Sequence, residues 1–404
     1  MLTARASPLR VGPALDRAAA HELRRALELR HFKWDAQIGD VSVLAPFPLL
    51  IRAHDWYELT QLAERLAAET EALERALWAR PALHARLALP RALRRLWARA
   101  PLTPAGARVM RFDFHFTRDG WRVSEVNSDV PGGFTEATSF TRAMAAYVAG
   151  ARPTGDPTRA LVDALATRAG EGGAIALLNA PGHMEDHQVV AHLAAELRAR
   201  GLMAQVLSLP QLRWQAGRAH GPSGALAAIY RFYQAEWLAA LPRASGWEPL
   251  FAGGLTPVTN PGCAALTESK RLPLLWDALA TPVPTWRRLL PETRALADAP
   301  WTRDDGWLIK SAYGNTGDTV FMRAAMTRLE WARRVWLARL QPSQWVAQRR
   351  FDIVPIVHDG VPLQPCVGVY VVDGKAAGAY VRLASGPIVD FRARDAALLL
   401  YDDP

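Results

Sequence analysis

Between residues 109 and 136 the chain reads VMRFDFHFTRDGWRVSEVNSDVPGGFTE, and here acids, bases and amides fall at a chemically useful spacing. Met110, Phe112, Phe114 and Phe116 alternate with Arg111, Asp113 and His115, the two-residue period of a half-buried strand. Arg118-Asp119-Gly120 is turn chemistry, and Trp121 to Asn127 reads as the returning strand. A two-residue turn at Asp119-Gly120 would set Asp113 and Glu125 on opposite faces. A three-residue loop with Gly120 in the left-handed conformation pairs Thr117 with Trp121. Asp113 then lies opposite Glu125, Arg111 opposite Asn127 and Phe112 opposite Val126, and this register is the expected one. Two carboxylates directly opposite each other repel, so a positive group belongs between them. Arg111 is one candidate. An oxygen-seeking divalent cation such as Mg²⁺ fits better, because Asp, Glu and the Asn amide oxygen are hard ligands. A solvated hairpin face with a weak surface ion pair is the alternative. If a metal neutralises the pair, removing the charge of Asp113 or Glu125 leaves the fold intact or slightly more stable.

The surrounding elements read as a large α/β protein. A helix is expected over 14–30, and a second from Asp55, as N-cap, to about Ala79, with Leu59, Leu62, Leu66, Leu73 and Leu77 on one face. Pro131-Gly132-Gly133 leads into a helix from Thr135; Asp129 is either a turn former or a neighbour of the metal face. Ala174–Leu178 and Met203–Leu207 are expected strands joined by a helix, one βαβ unit. Its loop carries His183, Glu185, Asp186 and His187 at the strand's carboxyl end, where α/β folds bind ligands. Helix capping is the main reading of those acids, with substrate contact second and metal third. Trp307–Lys310 and Val320–Met322 are strands flanking the loop Ser311-Ala312-Tyr313-Gly314-Asn315-Thr316-Gly317-Asp318, and Trp345–Gln348 is the next strand. The block 365–382 is a hairpin turning at Asp373-Gly374.

Composition narrows the class. The chain has 404 residues, half of them hydrophobic, enough for two or three domains or one large enzyme. Its formal charge is +9, but the arginines are scattered among Ala- and Leu-rich helices with Glu and Asp, and no nucleic-acid-binding motif is present. Nucleic-acid partners are not expected; anionic substrates such as nucleotides are. No apolar run approaches the roughly 18 residues of a membrane span. Two isolated cysteines, Cys263 and Cys366, make neither a disulfide framework nor a zinc site and fit a reducing cytoplasm.

Arg111-x-Asp113, then Glu125-x-Asn127-x-Asp129-x-Pro131-x-Gly133, resembles the signature of the glutathionylspermidine synthase family, a group of ATP-grasp carboxylate–amine ligases. The resemblance extends to the Glu268-Ser269-Lys270 stretch and the Leu-Leu-Trp that follows, to the lysine and Gly loop at 310–317, and to 345–382. It implies an ATP-grasp-like fold of the α/β (α+β) class with a pre-ATP-grasp α/β subdomain. The expected division is 1–150, N-terminal helices and the metal-binding hairpin; 151–255, the pre-ATP-grasp subdomain; and 256–404, the nucleotide-binding segment. It implies ATP and Mg²⁺ as cofactors, with Asp113, Glu125 and Asn127 on the metal. Arg111 and Arg382 would act on the transferring phosphoryl group. Lys270, Lys310 and the loop glycines Gly314 and Gly317 would hold phosphates, with Gln348 by the adenine. The loop would close over the site and is expected to be mobile without ligand.

The implied reaction joins a peptide-like, glutathione-like carboxylate to a polyamine-like amine through an acyl phosphate. No Cys–His pair suggests the amidase domain fused to some members, and the chain has no room for one. There are departures. Asn315-Thr316 stands where the family's loop usually has Arg-Glu, Lys310-Ser311 replaces lysine-proline, and Leu383 follows the late arginine where Glu is common. These surround the substrate and leave a second expectation, a catalytically silent nucleotide-binding or interaction protein on the same scaffold.

Overall fold

The computed structural model describes residues 7–39, 41–314, 317 and 319–402. Asn315, Thr316 and Asp318, on which part of the loop expectation falls, lie outside the described residues.

The Val109–Thr117 strand is buried on both faces, not half-buried. The reason is its place in a nine-stranded sheet. It lies between Gly120–Asn127 and Val361–Val372, and the order continues through Lys375–Ala384, Arg394–Tyr401, Leu49–Arg52 and Leu9–Val11. All these neighbours are antiparallel except Leu49–Arg52 with Arg394–Tyr401. Strands from the beginning and the end of the chain thus build one sheet.

Its two faces are chemically distinct. Phe112, Phe114, Val367, Val369, Val381 and Leu398 join one core. The Ala53–Trp78 helix contributes Leu59, Leu62, Leu66, Leu73 and Leu77 to it, the stripe expected from their spacing. This helix begins two residues earlier than expected, straight from the Leu49–Arg52 strand. Asp55 is therefore not the cap but an acid in the first turn, well placed for the helix dipole. The other face carries the polar groups beside the hairpin, while Val109, Tyr370, Val372 and Tyr380 on it join a second core. Directly opposed residues share a face, so Tyr380, Gly368, Asp113 and Glu125 form one row. Tyr370, Arg111 and Asn127 form the next.

A second sheet is wholly parallel, in the order Val258–Thr259, Ala228–Phe232, Ile175–Asn179, Ala204–Leu207. Met184–Ala199 is the crossover helix of the expected βαβ unit, and Leu193 and Leu197 pack with Leu161, Leu165, Ile175 and Leu177. A third, antiparallel sheet runs Thr293–Arg294, Trp345–Arg349, Trp307–Ser311, Val320–Phe321. It is backed by Trp331 and Ala338 of the Arg328–Leu340 helix. The expected hairpin at Asp373-Gly374 is present, with both turn residues at positive φ, the conformation a two-residue hairpin turn requires. Both cysteines are free. Among the described residues no helix is long and apolar enough to cross a membrane.

Candidate active site

The pairings expected at the site are those found: Asp113 with Glu125, Phe112 with Val126, Arg111 with Asn127. The device that produces them is different. Thr117 pairs with Gly120, so the turn has only Arg118 and Asp119 in its loop, and the register shifts by one residue at Ser124. This β-bulge leaves Ser124 unpaired in the ladder. Its hydroxyl donates to the Asp113 carbonyl at 3.3 Å and meets His115 Nε2 at 3.0 Å. Its carbonyl, freed from the sheet, accepts from Lys310 Nζ at 3.0 Å. Lys310 belongs to the third sheet, so this bond joins two sheets across a cleft.

Asp113 is the most heavily bonded acid of the set. Arg111 donates to both its oxygens, at 2.7 and 3.0 Å. Arg382 Nη2 adds a bond of 2.8 Å and Asn127 Nδ2 one of 3.3 Å. Burial alone would push the Asp113 carboxyl up; the two guanidiniums outweigh it and hold the group down at about 2. Glu125 has a different partner, Lys270, at 3.4 Å. Burial opposes its ionisation, and the Lys270 and Lys310 charges keep it below the usual carboxylate range. The repulsion expected between the two acids is therefore met by separate cations. Arg111, one of the two groups foreseen as mediator, serves Asp113 alone.

Lys270 also donates to the Gly314 carbonyl at 2.7 Å, tying the Gly loop to the sheet edge. Tyr313 of that loop donates to the Ala265 carbonyl at 3.2 Å and packs against the main core, so the described start of the loop is anchored. Lys310 is 5% exposed and forms no ion pair among the described residues. Burial pushes its ammonium down to about 8; Glu125 acts upward and Lys270 presses it further down.

Glu125, Lys310, Gln348, Gly317 and Arg382 line one cavity of about 170 Å³, together with His115 and Ser124. Gln348 donates to Thr293 Oγ1 at 3.0 Å, which fixes its amide in the cavity wall. A larger groove of about 500 Å³ at the hairpin tip, lined by Tyr57, Arg65, Trp121 and Arg288, contains none of these groups. The smaller cavity is the one that gathers the ionisable side chains. Glu125, Lys310 and Arg382 line it; Asp113, with Arg111 and Asn127, is bonded to Arg382, and Lys270 is paired with Glu125.

Hard oxygen donors for a divalent cation are present in Asp113, Glu125 and the Asn127 amide. Both Asp113 oxygens are engaged by arginine. Among the described residues no group of three or more His, Cys, Asp or Glu is arranged to hold a metal. Asp129 is not on this face. Its carboxylate takes both Nη atoms of the buried Arg231 and the Ala235 N–H at 2.9 Å, a clamp to the parallel sheet.

Several positioning residues escaped the sequence reading. Glu268 accepts from the N–H groups of Ser128 and Asp129 at 2.6 and 2.8 Å and fixes the turn after Asn127. Asn260 bonds the Val109 N–H and carbonyl, both at 2.7 Å, and anchors the start of the central strand. Gly368 lies against Arg111; a Cβ there would stand 2.9 Å from Arg111 Cδ. A glycine inside a strand signals such close approach, and that signal was readable.

A family model described as glutathionylspermidine synthase preATP-grasp matches residues 52–397. Among solved structures, the apo form of a glutathione synthetase-like effector from Globodera pallida aligns with a TM-score of 0.61 at 13% identity, covering 95% of this chain and 96% of that one. A proposed gamma-glutamylcysteine synthetase from Methylobacillus flagellatus KT aligns with a TM-score of 0.42 at 13% identity, over 77% and 81% of the two chains. No curated protein matches the chain.

Proposed function

The chain belongs to the glutathionylspermidine synthase preATP-grasp family, and from that premise we propose that it is an ATP- and Mg²⁺-dependent carbon–nitrogen ligase joining a peptide-like carboxylate to an amine. The fold is that of synthetase-like ligases. The observation that carries the reading is the Lys310 ammonium, buried in the cleft wall, bonded to one carbonyl and paired with no carboxylate among the described residues. A buried cation costs several kcal/mol unless an anion meets it. A phosphate oxygen in the cleft is such an anion.

Amide formation from a carboxylate in water requires activation. A carboxylate oxygen attacks the γ-phosphorus of ATP and ADP leaves, giving an acyl phosphate. The amine nitrogen then attacks the acyl carbon, inorganic phosphate leaves, and the nitrogen loses a proton. The protein's part is position and charge compensation. Lys270 and Lys310 hold the α- and β-phosphates, with the N–H groups around Gly314 and Gly317. Arg111 and Arg382 meet the oxygens that gain charge during transfer. Gln348 stands at the adenine. Asp113, Glu125 and Asn127 would hold Mg²⁺, whose chemistry when bound is to neutralise phosphate charge.

The test is phosphate release from ATP with Mg²⁺ across a panel of peptide carboxylates and amines, with the product checked by mass for an amide. The loop residues Asn315 and Thr316 favour a second reading, a scaffold that binds nucleotide without turnover. It predicts ATP binding by calorimetry and no phosphate release with any pair.

A further inference from the structure

Lys33 lies in the segment between the Arg17–Arg30 helix and the Leu49–Arg52 strand, and it is 3% exposed. Its ammonium meets three carboxylates: Asp35 Oδ1 at 2.7 Å, Asp395 Oδ2 at 3.2 Å, and Glu136 Oε1. Three carboxylates within ion-pair distance surround this one buried ammonium.

The seat adjoins the candidate transfer site. Asp395 is directly opposite Arg382 in the sheet, and opposed residues share a face. Glu136 follows the Gly132-Gly133 turn, whose Gly132 carbonyl accepts from Arg111 Nη1 at 3.0 Å. With Lys33 removed, these three acids would offer a seat for a second positive amino group one sheet position from Arg382. This chain has placed its own ammonium there. Burial, with Glu136 and Asp35 acting in the same direction and Lys33 against it, pushes Asp395 up to about 7.

We propose that Lys33 sets acceptor specificity: its ammonium fills the carboxylate seat beside Arg382, and the accepted amine carries no positive charge at its far end. This narrows the acceptor side of the ligase reading and rests on it.

The seat itself is tested without turnover, by thermal unfolding of wild type, Lys33→Ala and Lys33→Met with added ethylammonium or spermidine. Both variants should melt below wild type. Both amines should raise the melting temperature of Lys33→Ala by several degrees and leave wild type unchanged. Adding Asp395→Asn to Lys33→Ala should restore part of the lost stability and weaken the response to both amines. Recovery with ethylammonium but not spermidine would make Lys33 a structural ion pair only and overturn the proposal. An equal spermidine shift in wild type and variant would overturn it too. Should Lys33→Ala fail to fold alone, Lys33→Ala with Asp395→Asn takes its place: a spermidine shift larger than in wild type supports the seat, since Asp35 and Glu136 remain in it, and no shift overturns it. ATP binding, measured on the same proteins, separates this from the ligase reading. Its absence in wild type removes the ligase and leaves the seat to be judged by the amine shifts.

Discussion

Lys310 Nζ donates to the carbonyl of Ser124, the one residue by which the returning strand exceeds its partner. The bulge turns that carbonyl out of the ladder, and the lysine of the opposite sheet takes it. The bond is a neutral stand-in for a stronger, charged partner. Lys310→Met should weaken ATP binding by about 1.5–3 kcal/mol, the usual loss for a charge-assisted hydrogen bond, and Lys270→Met by a similar amount. Calorimetry that finds both variants binding ATP as wild type does would remove these lysines from the phosphate site.

The same lysine gives the site a pH signature. The buried ammonium titrates at about 8, against about 10.4 in an unfolded chain. Between those values the folded protein holds fewer protons than the unfolded one, so the nucleotide-free protein gains stability as pH rises through that window. Phosphate favours the charged form. ATP binding above pH 8 should therefore take up a proton, and affinity should fall as pH rises. Calorimetry in two buffers of different ionisation enthalpy measures the uptake, and Lys310→Met should abolish it.

Asp113 and Glu125 are already met by Arg111, Arg382 and Lys270, with Lys310 besides. A divalent cation entering alone would face four positive groups and two negative ones. Mg²⁺ should give no binding heat without nucleotide, whereas ATP should bind in the presence of a chelator and more tightly when Mg²⁺ is restored. Tight binding of Mg²⁺ to the free protein would contradict this charge arrangement.

Asp113→Asn leaves two buried guanidiniums without their anion and should cost about 3–5 kcal/mol of stability in chemical denaturation. Sequence reasoning leads to the reverse, relief of a repulsion, because it does not see Arg382 arriving from the far end of the chain. Glu125→Gln, on the cleft side and 17% exposed, should cost roughly 1–2 kcal/mol. Equal stability of Asp113→Asn and wild type would mean the arginines do not depend on this carboxylate.

Gly368→Ala places a methyl 2.9 Å from Arg111 Cδ and 3.2 Å from its Nε. The expected cost is about 1–3 kcal/mol for overpacking, together with weaker ATP binding as Arg111 is displaced. Gly386→Ala, with open space around it, should change neither and serves as the control.

The legible part of this protein is local. Alternation from Met110 to Phe116 and the turn at Arg118-Asp119-Gly120 reveal the hairpin, and the need to bring Asp113 to Glu125 reveals its register. The bulge at Ser124 was not legible, because a bulge makes no fixed demand on residue type and two different turn-and-register combinations give the same pairs at the site. Asp129 carries the spacing of a site residue, yet Arg231 claims it from a distant strand. Lys33 is a lone lysine among aromatic residues, and nothing near it in sequence announces Glu136 or Asp395. For Asp129 and Lys33 the missing knowledge is a contact between segments more than a hundred residues apart.

The sheet that carries the site joins Val109–Thr117 to Val361–Val372. During synthesis the first of these strands, with its five apolar side chains and its arginine and aspartate, leaves the ribosome long before its neighbour exists. At ordinary rates of about 5–20 residues per second the wait is on the order of ten seconds to a minute. Through that interval the nascent strand has one unpaired edge, the kind that recruits other chains. The parallel sheet can assemble meanwhile, since its strands are complete by Thr259. A ribosome stalled before residue 361 should therefore display a protease-resistant middle and a labile beginning, with Arg111 still waiting for the glycine that makes room for it.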